Sequence, residues 1–287
     1  MKNWNGRHMS KAAWFSLIGK WVFLGIMILF TLYPVIYTVL GSLKTNAELT
    51  QGGGFFPEKW HFENYYQAFV QADFTKYTFN SIVVSVSVTL LAAVTCSLAG
   101  FILARREFAG KRVLLALYLS MMFVSLGSVT LYPIYELLRA LKLNKSIIAL
   151  IVALTGGQAT NVFLVMGFTK GIPKELDEAA IIDGCSIYGV YSRVILPLSK
   201  PILAVVALFS FRNAWNDYIT SLIMTISMPK LQTLTVAVVQ LKYSVNAAAE
   251  WHIMLAGASI AIIPILIVYL FANKQFIAGL TAGAVKG

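Results

Sequence analysis

Long apolar runs separated by short charged gaps dominate the chain, and six of them reach the roughly 20 residues a helix needs to cross about 30 Å of hydrocarbon. The predicted spans are about 15–43, 77–104, 113–136, 146–169, 201–226 and 251–273. The densest part of the first runs from Trp21 to Leu43 and follows Lys2, Arg7, Lys11 and Lys20. A basic flank of this kind also precedes secretory leaders, but this run is too long and lacks a small-residue cleavage pattern, so it reads as a retained anchor. The expected fold class is an all-α membrane protein with six transmembrane helices. Between the spans, 170–200 is long and unusually acidic, and 274–287 is a Gly-containing tail expected to be flexible.

Composition supports lipid as the solvent. Of 287 residues, 58% are apolar and 12% charged, against about a quarter charged in an ordinary soluble domain. The net charge of +11 raises the question of nucleic acid, but the charges are confined to gaps between spans and leave no basic cleft. No nucleic-acid partner is expected. One set of gaps holds Lys2, Arg7, Lys11, Lys20, Arg105, Arg106, Lys111, Arg112, Lys170, Lys174, Arg193, Lys200, Lys274 and Lys286. The other holds fewer: Lys44, Lys59, Lys76, Arg139, Lys142, Lys145, Lys230 and Lys242. By the positive-inside rule both termini are cytoplasmic. Cys96 and Cys185 are too few and too distant for a disulfide framework or a cysteine-rich zinc site.

Enzymatic chemistry has no visible seat. Gly110-Lys111 is followed by Arg112, so the phosphate-binding loop of an ATPase is missing. His8, His61 and His252 are scattered, with no H-E-x-x-H or G-x-S-x-G arrangement. The chain is expected to bind no cofactor or metal and to take its energy from elsewhere.

Between the fourth and fifth spans the chain reads Gly171-Ile-Pro-Lys-Glu-Leu-Asp-Glu-Ala-Ala-Ile-Ile-Asp-Gly-Cys-Ser186 and continues to Leu196-Pro197. Pro173 suits the first position of a helix, and Glu175, Asp177 and Glu178 favour the positive end of its dipole. Leu176, Ala179, Ala180 and Ile182 give that helix an apolar side. Gly184 permits a sharp break, and a second helix should run from about Ser186 until Pro197 and Pro201 stop or kink it. The product is a short helix-turn-helix. Glu178-Ala179-Ala180, Gly184, Val194 and Leu196-Pro197, at that spacing, resemble the EAA loop of permease subunits of ATP-binding cassette importers. The family more often has Ile at the place of Val194. Glu175-Leu176, Asp183-Gly184, Trp215-Asn216-Asp217, the stretch Trp60 to Phe69 and the ending Gly279 to Gly287 are similar to the carbohydrate-importing branch, particularly the smaller permease of maltose-type pairs.

That resemblance implies the type I importer permease fold, with the helix-turn-helix as a cytoplasmic coupling loop. It also implies a bacterial inner-membrane location and four kinds of partner. These are a second permease in a heterodimer, two ATPase subunits that hold the ATP and Mg, an extracytoplasmic solute-binding protein, and a sugar. Glu178, Ala179, Ala180, Asp183, Gly184, Leu196 and Pro197 are then the ATPase-coupling residues. Without the resemblance, Glu178 and Asp183 read equally as caps of a solvated hairpin. A peptide or polyamine importer shares the same loop, and a secondary transporter is the further alternative.

Polar residues within the spans complete the candidate set. Each charge near a helix centre costs about 2.5 to 3.5 kcal/mol on insertion scales, while each Leu, Ile, Phe or Val returns about 0.3 to 0.6. The apolar content of the fifth span only about offsets Arg212 and Asp217, so neither is expected to face lipid. On one continuous helix, Arg212, Asn213, Asn216, Asp217, Thr220 and Ser221 fill one half, with Arg212 and Asp217 about 140° apart and poorly placed to pair. Each is expected to find its partner on another helix or in a wet cavity. The polar half lines the translocation path or packs against the sister permease; both readings fit. In the fourth span, Gly156-Gly157-Gln158 weakens the helix and makes Gln158 and Asn161 candidates for the same path, with close packing through small residues as the alternative. On the outer side, the aromatic segment 44–76 suits anchoring at the membrane interface or, equally, contact with a partner. Gln240, Tyr243 and Asn246 are candidates for docking the binding protein, or belong to an interfacial helix.

Overall fold

The computed structural model describes residues 11–71, 73–123, 127–241 and 250–284, with side chains described from Trp14 to Leu270. Among the described residues there is no strand. The helices are α1 (Lys11–Gly41), α2 (Asn46–Thr50), α3 (Glu63–Gln71), α4 (Phe74–Arg105), α5 (Lys111–Phe123), α6 (Leu131–Ala140), α7 (Ile147–Thr155) and α8 (Ala159–Gly171). They continue with α9 (Glu175–Ile182), α10 (Ile187–Val190), α11 (Leu196–Leu198), α12 (Lys200–Asn216), α13 (Ile219–Thr225), α14 (Leu234–Gln240) and α15 (Trp251–Ala284).

Three of these are long and apolar enough to cross a membrane: Trp14–Gly41, Phe74–Arg105 and Trp251–Leu270. Two bent pairs pass the same test, α7 with α8 at 52° and Ile187–Leu198 with α12 at 77°. Both bends have chemical causes. Gly156, Gly157 and Gln158 interrupt α7 and α8, and Gly157 takes φ +69, a left-handed conformation open to glycine. Pro197 has no N–H for the Arg193 carbonyl, and the turn before it, Tyr191–Ile195, widens to π geometry. The predicted third span, 113–136, falls on α5, a 3-10 turn at Gly127–Thr130 and the start of α6, with 124–126 outside the described residues.

Two expectations are corrected. The fifth span is not one helix to residue 226, because α12 ends at Asn216 and Asp217 is extended with ψ 125 before α13 begins. The half-cylinder of polar residues drawn on a continuous helix therefore holds only as far as Asn216. The tail expected to be flexible from 274 is helical to Ala284. It is rich in good helix formers, and each glycine costs only about 1 kcal/mol there.

The chain divides into two compact units, Met1–Gln71 with Leu241–Ile260, and Ala72–Gln240 with Ala261–Gly287. In the first, α2 is closed by a capping box between Thr45 and Glu48. Asn64 Nδ2 donates to the carbonyls of Ser42 and Lys44, both at 2.9 Å, and Lys44 donates from its ammonium to the Gly54 carbonyl. These bonds order the aromatic segment after α1. In the second unit, α4 packs along α8 and α12 over a core that includes Cys96, Val162, Val165, Val205 and Val206. A Cβ at Gly100 would sit 2.7 Å from the Val165 side chain, so this glycine sets how closely α4 and α8 approach.

Candidate functional site

The polar residues anticipated in the fourth and fifth spans come together at the α7–α8 bend. A hollow of about 440 Å³ is lined by Gln158, Asn161, Ser210, Arg212, Asn213 and Asp217, with Leu154, Phe209 and Ala214 among its apolar neighbours. Asn161 is buried and donates from Nδ2 to Gln158 Oε1 at 2.5 Å and to Ser210 Oγ at 3.3 Å, tying α8 to α12. Asn216, Thr220 and Ser221, placed on the same polar half, do not line the hollow.

Arg212 and Asp217 share the hollow without pairing. Asp217 turns back on its own chain and accepts from the Ser221 N–H at 2.7 Å and the Ser221 hydroxyl at 3.0 Å, holding the first turn of α13. Of the two places expected for Asp217, another helix or a polar cavity, it takes the cavity, and its own bonds are local. The Arg212 guanidinium bonds Asn213 Oδ1 at 3.3 Å, lies 5.9 Å from the centre of the Phe209 ring, and stays exposed. The break after Asn216 is pinned by Trp215, which is buried, stacks on Phe211 and donates from its indole N–H to the Ala261 carbonyl at 3.2 Å.

The bend also borders a second hollow. Gly156, Gly157 and Gln158 also line an apolar hollow of about 430 Å³ formed with Cys96, Leu114, Leu117, Tyr118, Met121 and Val162. The bend therefore borders both a polar space and a greasy one.

The helix-turn-helix predicted for 170–200 forms as α9 followed by the run Ile187–Leu198. Lys174 is the residue before α9, so the helix starts slightly later than Pro173. Ser186 caps the second limb by accepting from the Gly189 N–H at 3.2 Å. The turn passes through Gly184 at φ +82, and an added Cβ there meets no atom within 4 Å, so the glycine is required by backbone conformation alone. Of the expected apolar side, only Ala180 is buried, against Phe101, Val190, Tyr191 and Ile195. Leu176, Ala179 and Ile182 are exposed together with Glu178, Asp183, Gly184 and Pro197, and Leu196 is half-buried. The smallness of Ala180 therefore serves the chain's own core. The exposed ridge around Glu178 is the part left free for another molecule.

The residues holding this element were missed in the sequence. Arg105 Nε lies 2.7 Å from Asp177 Oδ2, with the two side chains 5% and 14% exposed. The contact is an ion pair rather than an aligned hydrogen bond. The same guanidinium donates to the Ile172 carbonyl at 2.9 Å. Two turns earlier, Ser97 Oγ and Tyr191 Oη are 2.7 Å apart, and the rings of Phe101 and Tyr191 lie 5.4 Å apart between centres. Both limbs are thus fastened to the end of α4. Gln240 is exposed at the end of α14, and the other two docking candidates, Tyr243 and Asn246, lie outside the described residues.

Residues 96–280 match the family described as binding-protein-dependent transport system inner membrane component, a match over more than half of the chain. The chain belongs to that family. It is thus the membrane permease component of a transport system that works with a binding protein. The sulfoquinovosyl glycerol transport system permease protein SmoH of Agrobacterium fabrum is 32% identical, over 93% of each chain. The arabinooligosaccharides transport system permease protein AraQ of Bacillus subtilis is 31% identical, over 93% of this chain and 94% of the relative. The maltodextrin transport system permease protein MdxG of Bacillus subtilis is 29% identical, over 97% and 99%. A crystal structure of a bacterial ABC transporter involved in the import of the acidic polysaccharide alginate contains a chain of the same fold. It matches with TM-score 0.79 and 24% identity, covering 94% of this chain and 99% of that one. The permease has the type I fold of ABC importers. Among the described residues, no group of three or more His, Cys, Asp or Glu side chains is placed to hold a metal ion.

Proposed function

We propose that this permease forms half of the translocation pathway of a bacterial carbohydrate importer, paired with a second permease and driven by two ATPase subunits that bind the ATP and Mg. The observation that carries the reading is the helix-turn-helix clamped to α4 with its Glu178 ridge exposed. An exposed element fastened to a membrane-spanning helix suits the transfer of movement from a partner. Glu178 offers a carboxylate to a basic residue of the ATPase, Ala179 lets the surfaces approach, and Asp183, Gly184, Leu196 and Pro197 fix the elbow and the second limb. With both termini and this loop cytoplasmic, Gln240, Tyr243 and Asn246 fall on the outer side, where a sugar-loaded binding protein docks.

The hollow of Gln158, Asn161, Arg212, Asn213 and Asp217 supplies hydrogen-bond donors and acceptors inside the membrane, as a hydroxylated solute requires. Asn216, exposed at the end of α12, lines the path or the contact with the second permease. The saccharides named for three relatives favour a sugar over a peptide or polyamine. ATP-driven closure of the ATPases moves the Glu178 loop and opens the hollow outward, and hydrolysis returns it inward. The test is uptake of labelled oligosaccharides by liposomes holding the complete complex. Import that needs ATP and the binding protein and is competed by saccharides is expected. Uptake unaffected by ATP, or competed only by peptides or polyamines, rejects the reading.

A further inference from the structure

Helix α4 is bonded near both of its ends. At one end, Ser97, Phe101 and Arg105, spaced by four residues and so close to one face, hold Tyr191 and Asp177 of the helix-turn-helix. At the other, the buried Asn80 donates from Nδ2 to the carbonyls of Lys230 at 3.1 Å and Gln232 at 2.9 Å. Its neighbour Ser81 accepts from the Leu234 N–H at 2.8 Å. Those three residues lead into α14 and hence to Gln240. Between Ser81 and Arg105, α4 is continuous, contains no proline and is about 36 Å long at 1.5 Å per residue.

The helices packed on it are built differently. α7 and α8 are broken by glycines, and α12 stops at Asp217. A movement entering at either end of those helices is absorbed at the break, whereas one entering α4 arrives at its far end. We propose that α4 is a push rod between the 175–198 helix-turn-helix and the 229–240 segment, through which the ATPase side and the binding-protein side sense each other, with Arg105 and Asn80 as its positioning residues. This rests on reading 175–198 as the ATPase-coupling loop and Gln240 as part of the binding-protein docking segment. The end joints suit the task. Arg105 and Asp177 are largely withdrawn from water, and losing one leaves an unpaired charge. The Asn80 amide bridges two carbonyls and fixes the 229–234 turn on the helix. Coupling of this kind needs an element whose position both sides can bias, and a continuous helix anchored at both ends is able to carry such a bias.

The experiment uses the full complex in liposomes with its binding protein. It reads subunit stoichiometry, the cross-link of Glu178→Cys to the ATPase, and the stimulation of ATP hydrolysis by loaded binding protein. Asn80→Ala and Arg105→Gln are each expected to cut that stimulation about tenfold while stoichiometry and cross-link persist. The double variant should lose no more than either single, because both interrupt one link. The exchange R105D/D177R should recover part of the loss. Stimulation within about twofold of the unaltered complex in both singles, or losses that multiply in the double variant, overturns the rod. If Arg105→Gln does not assemble, Asn80→Ala decides the matter on the same scale. Absence of the Glu178→Cys cross-link in an otherwise unaltered complex is a separate result: it removes the coupling-loop reading, and the rod with it. A normal cross-link with normal stimulation removes the rod alone.

Discussion

Glu48 accepts hydrogen bonds from the backbone N–H groups of Glu58 at 2.8 Å and Thr45 at 2.7 Å, and these donors hold its carboxyl below the ordinary value of 4.5. A folded value below the unfolded one means that the ionised form is favoured by folding. The stabilisation is complete above 4.5 and is lost as pH falls through the lower folded value. The melting temperature of the unaltered permease should therefore exceed that of Glu48→Gln near neutral pH, and the gap should close in acid. A gap that stays constant from pH 7 to 3 would refute this assignment. At this scale the sequence was least readable. Arg105 stood among the charges that set orientation, and Asp177 among those favouring a helix start. Nothing local announces that residues so far apart in sequence form a buried pair. Asp217 was legible in part: a charge in an apolar span implies another helix or a polar cavity, and it lines the hollow, but its bonds to Ser221, four residues on, were not foreseen.

The elements were easier to foresee, because hydrophobic run length and punctuation act locally. The stretch 77–104 is overlain by α4, the Gly156-Gly157-Gln158 run is a bend, and Gly184 is an elbow. The break after Asn216 escaped notice because Asp217 carries no glycine or proline signal, and tertiary contacts of Trp215 decide it. Gly184 supports a graded prediction. Alanine at φ +82 meets no neighbour but occupies a left-handed conformation, costing about 1 to 2 kcal/mol, and should weaken transport. Proline, whose ring fixes φ near −65°, cannot follow the turn at all. Gly184→Pro should insert into membranes normally and abolish both uptake and transport-coupled ATP hydrolysis. Unimpaired import by that variant would count against the elbow's role.

For the whole molecule, the all-α membrane architecture was plain from apolar runs, but the meeting of its polar residues was not. Gln158 and Asn161 were singled out on one span and Arg212, Asn213 and Asp217 on another, and only packing places them around one hollow. Asn161→Leu removes donors to Gln158 and Ser210 and leaves their oxygens without that partner, a loss of about 1 to 3 kcal/mol. Import should slow severalfold, while subunit assembly and the affinity of the binding protein for its sugar stay unchanged. Unchanged import kinetics would place the path elsewhere. The burial of the Arg105 joint carries one more consequence. Mobile ions screen attractions between exposed charges beyond about 8 Å at physiological ionic strength, but they reach a withdrawn pair far less. The anchorage of the helix-turn-helix should thus keep its stiffness when osmotic stress floods a cell with potassium, a condition that loosens contacts made at the wetted surface.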